Sequence, residues 1–353
     1  MKRKDDFRAI ESEKRKMVKK MNGNGNVHGE GKKKAAVLFT EMILILNIWK
    51  LGAEGKEADI SSFFAHSGDT RLPQTIVNHV VTDFLQDPLP EGKDTKKVIV
   101  LGYDGFREDG LEIILDDPQS SVRMAAEQGG LYHTYAGGEG EQRQETTTGP
   151  GWASILTGGW SGSTGIDSCA DTKRGSAKTF LMDAAQKGYP SVFAASWAEH
   201  FTVTYKQDIE YASRRQLPLR YIQTMGDEET YETILQLVTK RRGQEKSEMQ
   251  DPDVIFFTLE ITDRAGHQTG FENQNPSYRD ACIIADACGR NIIWEIKHRD
   301  TYEREEWLIL ITTDHGGIGT SHGGQTEEER NTWLASSRKI EGWEFEQRAV
   351  TEY

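Results

Sequence analysis

The sequence predicts an α/β protein built on a central, largely parallel sheet with helices on both faces. Short, almost purely apolar runs recur at residues 98–101 (VIVL), 192–195 (VFAA), 254–259 (VIFFTL) and 307–312 (WLILIT). Unbroken apolar strands of this length are buried on both faces. Between them lie longer stretches with helical patterning, at 177–187, 229–241 and 278–298. Strands separated by helices need crossover connections, which is the arrangement of a parallel sheet. The 353 residues, 36% hydrophobic and 28% charged, leave ample length to bury such a core.

From the N-terminus, the first feature is charge. Residues 1–34 carry twelve Lys and Arg against five Asp and Glu, so of the 43 and 56 in the chain the remainder holds 31 against 51. A basic, unstructured head thus precedes an acidic body, and that body is unsuited to non-specific nucleic-acid binding, which needs a cationic face. Residues 35–50 contain fifteen mostly apolar residues (AAVLFTEMILILNIW) behind the cluster Lys32-Lys33-Lys34. A spanning helix wants about 20 apolar residues and a signal core about 7–15. The expectation is therefore an export signal or membrane anchor, with the body secreted, periplasmic or tethered facing outward. Glu41 argues against insertion, and a buried amphipathic helix of a cytoplasmic protein is the alternative. Residues 51–96 read as a linker containing one short helix near 75–85, and the folded domain is expected to run from 97 to 353. The three cysteines, Cys169, Cys282 and Cys288, have no CxxC spacing, and suggest neither a disulfide framework nor a thiolate metal site.

In open α/β sheets the ligands sit outside the carboxyl ends of the strands. Three of the four strands end in potential metal ligands. The first runs into Tyr103-Asp104-Gly105, where Asp-Gly is equally an ordinary turn pair. The third runs into Asp263-Arg264-Ala265-Gly266-His267. Asp and His at i, i+4 share one face of a helical turn and can hold one cation, or simply cap and decorate the helix. The fourth runs into Asp314-His315-Gly316-Gly317, with His322 in the glycine-rich loop beyond. Three carboxylates and three imidazoles at one sheet edge suit two divalent cations. Their four positive charges would nearly cancel three aspartates and one ionised hydroxyl, leaving room for an anionic phosphoester. The hydroxyl would come from Thr146-Thr147-Thr148-Gly149-Pro150, just before the helical run 152–156. A helix N-terminus favours bound phosphate, although a plain threonine N-cap explains the same residues. No GxxxxGK[ST] is present, so a P-loop does not account for the glycines.

In combination these blocks (VIVLGYDGF, TTTGPGWASILTGG with STGI following, TDRAGH, and TTDHGG with HGG) resemble the alkaline phosphatase superfamily. Within it they resemble the nucleotide pyrophosphatase/phosphodiesterase type, over residues from about 97 to about 334. The resemblance implies an alkaline-phosphatase-like sheet with two metal ions at its edge, zinc foremost with manganese as alternative. It implies that Asp104, Asp314 and His315, together with Thr148, hold one ion, and that Asp263, His267 and His322 hold the other. It selects Thr148 as nucleophile, because the family nucleophile lies immediately before the x-Pro step. The implied activity is hydrolysis of phosphodiester or pyrophosphate bonds, or of phosphomonoesters, in small-molecule substrates through a covalent threonine intermediate. The alternatives are phosphonate or sulfate-ester hydrolysis on the same scaffold and a catalytically silent surface binding protein.

The chain departs from the family pattern in two places. The phosphodiesterases usually place Asn after the proline, where this chain has Gly151; Arg143 in the preceding loop is the nearest substitute donor, and reads first as a solvated charge. A closing C-terminal element with a D-x-A-P-T segment is also not found, so the domain is expected to lack its last piece. In the segments around 159–173 and 197–217, the aromatics Trp160, Trp197, Phe201, Tyr205 and Tyr211 are expected to pack rather than stack on a substrate.

Overall fold

We describe the fold from a computed structural model, which describes residues 60–65, 71–169, 175, 177–239, 251–340 and 352. The chain divides into two units, Met1–Leu51 and Gly52–Tyr353. The first unit, with the expected head and the apolar run at 35–50, lies outside the described residues. Among the described residues no helix is long and apolar enough to cross a membrane.

Among the described residues eight strands form one sheet: β1 (Leu72–Pro73), β2 (Thr95–Tyr103), β3 (Gly130–Tyr135), β4 (Ser191–Ala195), β5 (Leu219–Gln223), β6 (Val254–Leu259), β7 (Glu305–Thr312) and β8 (Asn331–Ser336). Their order is β1-β3-β8-β7-β2-β6-β4-β5. All neighbours are parallel except those of β8, which runs antiparallel to both β3 and β7. The four strands expected from sequence are the central ones, and their alternate side chains explain the two buried faces. Val98 and Val100 of β2 and Phe256 of β6 face one core cluster, while Ile99, Leu101 and Phe257 are equally buried outside it.

Helices cover both faces, as the apolar strands require. In chain order they are α1 (Ile76–Gln86), α2 (Ser121–Ala126), α3 (Thr148–Thr157), α4 (Ser161–Thr164), α5 (Phe180–Gln186), α6 (Lys206–Arg215), α7 (Asp227–Val238), α8 (Ile261–Thr269), α9 (Pro276–Lys297) and α10 (Glu327–Arg330). α1, α3, α5 and α6 contribute Val77, Ile155, Leu181 and Ala212 to the core cluster on one side. On the other, α9 packs against α2, α7 and α8.

The stretch expected to be a linker is a correction. Within residues 51–96, β1 pairs with β3, and α1 buries Ile76, Val77, Val81, Phe84 and Leu85 against the sheet. Its apolar positions at i, i+1, i+5, i+8 and i+9 fall on one helical face, and burying that face is what draws the segment into the domain. The aromatics of the two expected loop segments do pack: Trp160 stacks on Tyr135, and Phe201 and Tyr205 surround Phe193. The three cysteines are free.

Candidate metal centre

β2, β6 and β7 lie side by side in register, Gly102 opposite Thr312 and Tyr103 opposite Leu259. Their carboxyl ends therefore deliver three ligand-bearing segments to one place. β2 ends at Tyr103 and turns at Asp104-Gly105, where Gly105 has φ +64 and a Cβ would come 2.9 Å from Asp263 Cβ. That glycine is fixed twice, by the left-handed turn and by the approach of α8. The turn is tied down when the Thr262 hydroxyl donates to the Asp104 carbonyl and the Tyr278 hydroxyl donates to the Gly105 carbonyl. β6 passes into α8, carrying Asp263 and His267 on one face. β7 passes into Asp314-His315, and Phe106 N–H donates to Thr313 Oγ1 at 3.0 Å to hold that exit against the β2 turn.

All seven candidate ligands converge. Thr148, the first residue of α3, places Oγ1 3.5 Å from both Asp104 Oδ1 and His315 Nε2. His315 Nε2 is 3.5 Å from Asp104 Oδ1 and 3.3 Å from Asp314 Oδ2. On the other side, His322 Nε2 is 3.3 Å from Asp263 Oδ1, and His267 Nε2 is 3.5 Å from Asp263 Oδ2 and 2.9 Å from His322 Nε2. Two triads gather their ligand atoms within 4.8 Å, Asp104–Asp314–His315 and Asp263–His315–His322. His315 belongs to both, its ring stacked on that of His322 at 4.0 Å between centroids.

The imidazole tautomers follow from their partners. Nδ1 of His267, His315 and His322 meets the carbonyls of Thr320, Gly316 and Thr146 at 2.9, 2.8 and 3.1 Å. A carbonyl only accepts, so each Nδ1 carries the hydrogen and each neutral ring turns a lone pair inward at Nε2. This backbone anchoring of the outer nitrogen is the usual setting of a metal-ligating histidine.

The electrostatics also want a cation. Burial, then the neighbouring Asp314, Asp263 and Glu260 carboxylates, push Asp104 well above the carboxylate range. Burial, and again Asp263, push Asp314 up as well. Burial works the same way on Asp263, but the adjacent His322 and then the His315 and His267 imidazoles outweigh it and hold this carboxyl low. Burial, then His322, takes His315 down to about 3. Asp314 Oδ2 is buried without a hydrogen bond. A buried carboxylate oxygen in that state is costly unless a cation meets it, so this donor set fits divalent metal.

Several contributors escape sequence reasoning. Trp152 Nε1 donates to Asp104 Oδ2 at 2.9 Å; its position four residues after Thr148 on one helix is the signal that was there to find. The Thr146 and Thr320 carbonyls orient imidazoles through the backbone and leave no mark in residue identity. Cys169 Sγ lies 3.4 Å from the Gly149 N–H at the start of α3. Glu260 accepts from Trp197 N–H at 2.6 Å, and burial with the Asp227 charge raises it to about 7. Gly151 has a physical reason: a Cβ there would sit 2.9 Å from Asp314 Cβ and 3.0 Å from its carbonyl oxygen. Arg143 is exposed, at the end of the turn Gly140–Gln142.

The eight-stranded, mostly parallel sheet flanked by helices, with these candidate ligands at its strand ends, defines an α/β protein with a candidate metal centre at the sheet edge. A sequence profile of the type I phosphodiesterase / nucleotide pyrophosphatase family matches residues 98–349, and the chain belongs to that family. No curated protein matches it in a sequence comparison. Similar solved structures include murine ectonucleotide pyrophosphatase / phosphodiesterase 5, an inactive variant in complex with AMP, at 18% identity and TM-score 0.43 over 63% of this chain and 57% of that one. BT1596, a 2-O glycosaminoglycan sulfatase, aligns at 10% identity and TM-score 0.47 over 69% of this chain and 64% of that one. Phosphonoacetate hydrolase from Sinorhizobium meliloti aligns at 13% identity and TM-score 0.41 over 62% and 56%. The chain thus spans less than two thirds of the length of each.

Proposed function

We propose that the chain is a metal-dependent hydrolase of phosphodiester or pyrophosphate bonds that works through a covalent intermediate on Thr148. The observation that carries this is the placement of Thr148 Oγ1, at the first turn of α3 and 3.5 Å from both Asp104 Oδ1 and His315 Nε2. Asp104, Asp314 and His315 would hold one ion beside Thr148, and Asp263, His267 and His322 the other; carboxylate and imidazole ligands suit zinc and also accept manganese. When bound, such ions supply the charge that acidifies a hydroxyl and steadies the phosphoryl oxygens.

The chain's own groups divide the remaining work. The positive end of the α3 dipole favours an anionic phosphoryl group in front of Thr148. Thr148 Oγ1 bonds to phosphorus as the bond to the leaving oxygen breaks, and its proton goes out with the departing alcohol or phosphate. Water then cleaves the phosphothreonine ester, which restores the hydroxyl and releases the acid half. The three Nδ1–carbonyl hydrogen bonds keep the imidazoles in one tautomer throughout.

The test is turnover of bis-p-nitrophenyl phosphate, p-nitrophenyl phosphate and p-nitrophenyl sulfate by zinc- and manganese-loaded protein, with Thr148→Ala beside it. Preference for the diester, lost by at least about a thousandfold in the variant, is expected. Preference for the sulfate ester would move the assignment to a sulfatase, and no turnover despite bound metal would leave a binding protein. Part of the same proposal is work outside the cytoplasm, for which the apolar run at 35–50 is the support and cell fractionation the check.

A further inference from the structure

We propose that Trp152 is a positioning residue for the metal centre, fixing which oxygen of Asp104 faces Thr148. The inference rests on the metal reading of the site given above. Trp152 is fully buried and Asp104 is 1% exposed, so no solvent competes for their contact. The indole has one donor and no acceptor, and a buried one must place that hydrogen. Here it goes to Asp104 Oδ2 at 2.9 Å, a hydrogen bond strengthened when the carboxylate is ionised.

With Oδ2 taken, Oδ1 is the oxygen left for the centre, and it is the one that lies 3.5 Å from Thr148 Oγ1 and from His315 Nε2. Thr148 and Trp152 stand at i and i+4 on one face of α3. A single helix therefore delivers the hydroxyl and also holds the carboxylate opposite it, so that both move together or not at all. The ring cannot swing away. It lies edge-on to Phe256 at 5.4 Å, and a Cβ added at Gly102 would come 2.5 Å from its Cη2.

Trp152→Phe keeps most of the ring and removes the donor. In the full chain, zinc affinity is read by competition with a chromogenic chelator, and ligand geometry by the visible absorption of the cobalt-substituted protein. The expected result is one ion bound about ten- to a hundredfold more weakly, as for other partners of metal ligands, with the second ion at parental affinity and a changed cobalt spectrum. A purely packing role would instead lower thermal stability and weaken both ions alike, and that outcome overturns the inference. So does a folded variant with two ions at parental affinity and an unchanged spectrum. A parent chain that binds no metal overturns the metal reading itself, and this inference with it. Should Trp152→Phe fail to fold, Gly102→Ala takes its place, since it pushes on the ring and alters no ligand. Selective weakening of one ion is again expected, and parental binding of both overturns the proposal.

Discussion

Nε2 of His267 faces Nε2 of His322 across 2.9 Å, although each ring already gives its one hydrogen to a backbone carbonyl. Two lone pairs at that distance repel unless a cation or a shared proton lies between them. Asp263, within 3.5 Å of both, supplies the charge that would hold it.

His322→Ala is therefore expected to lower bound zinc from two ions to one per chain, counted by elemental analysis after dialysis. Retention of two ions would show that His322 is not a ligand. In the parent, metal added at a hundred times its dissociation constant should stabilise the fold by about 2.7 kcal/mol, read as a rise in melting temperature that a chelator reverses.

Gly151→Asn restores the residue usual in the family, yet here it drives a side chain against Asp314. Overpacking of this kind costs about 1–3 kcal/mol, so a lower melting temperature and weaker metal binding are expected together. A variant as stable and as well metallated as the parent would mean that α3 has room the close contact denies.

Glu260 and His200 predict opposite pH arms. Glu260 titrates near 7 in the fold, raised by burial and by Asp227. A raised carboxyl stabilises the fold below its unfolded pKa near 4.5, and this contribution is lost as pH climbs through about 7. Glu260→Gln should therefore flatten the loss of stability between pH 5 and 8 in denaturant titrations, and an unchanged slope would contradict the assignment.

His200 is buried in the π-helical turn His200–Thr204, against Phe193 and Trp197, with neither ring nitrogen hydrogen-bonded. Burial takes it down to about 3. Its folded form stays neutral where the unfolded chain would take a proton, so stability present above about pH 6.5 is lost as pH falls toward 3. His200→Phe should remove that acid arm, each pH unit of the gap being worth about 1.4 kcal/mol. If the variant unfolds at the same acid midpoint as the parent, another group sets the arm.

Residue identity alone determined the central strands, because the middles of β2, β4, β6 and β7 are buried on both faces and are almost wholly apolar. It also marked Asp104, Asp263 and the pair Asp314-His315 at the exits of such strands as candidate ligands, beside their ordinary readings as turn and cap residues. The outer strands were not legible for the converse reason. β5 is half exposed, β3 and β8 mix polar with apolar residues, and β1 is two residues long. Nor was the role of α1, whose apolar face has meaning only once the sheet is there to receive it.

The tertiary structure decided what spacing cannot: that Trp152 holds Asp104, that Gly151 yields to Asp314, and that His315 stands between both ligand groups. These are contacts between segments far apart in the chain, set by how strands pair and helices pack. The sequence by itself determined which side chains the centre has to work with. Packing decided which of their atoms face inward, because backbone carbonyls and one indole take up the others.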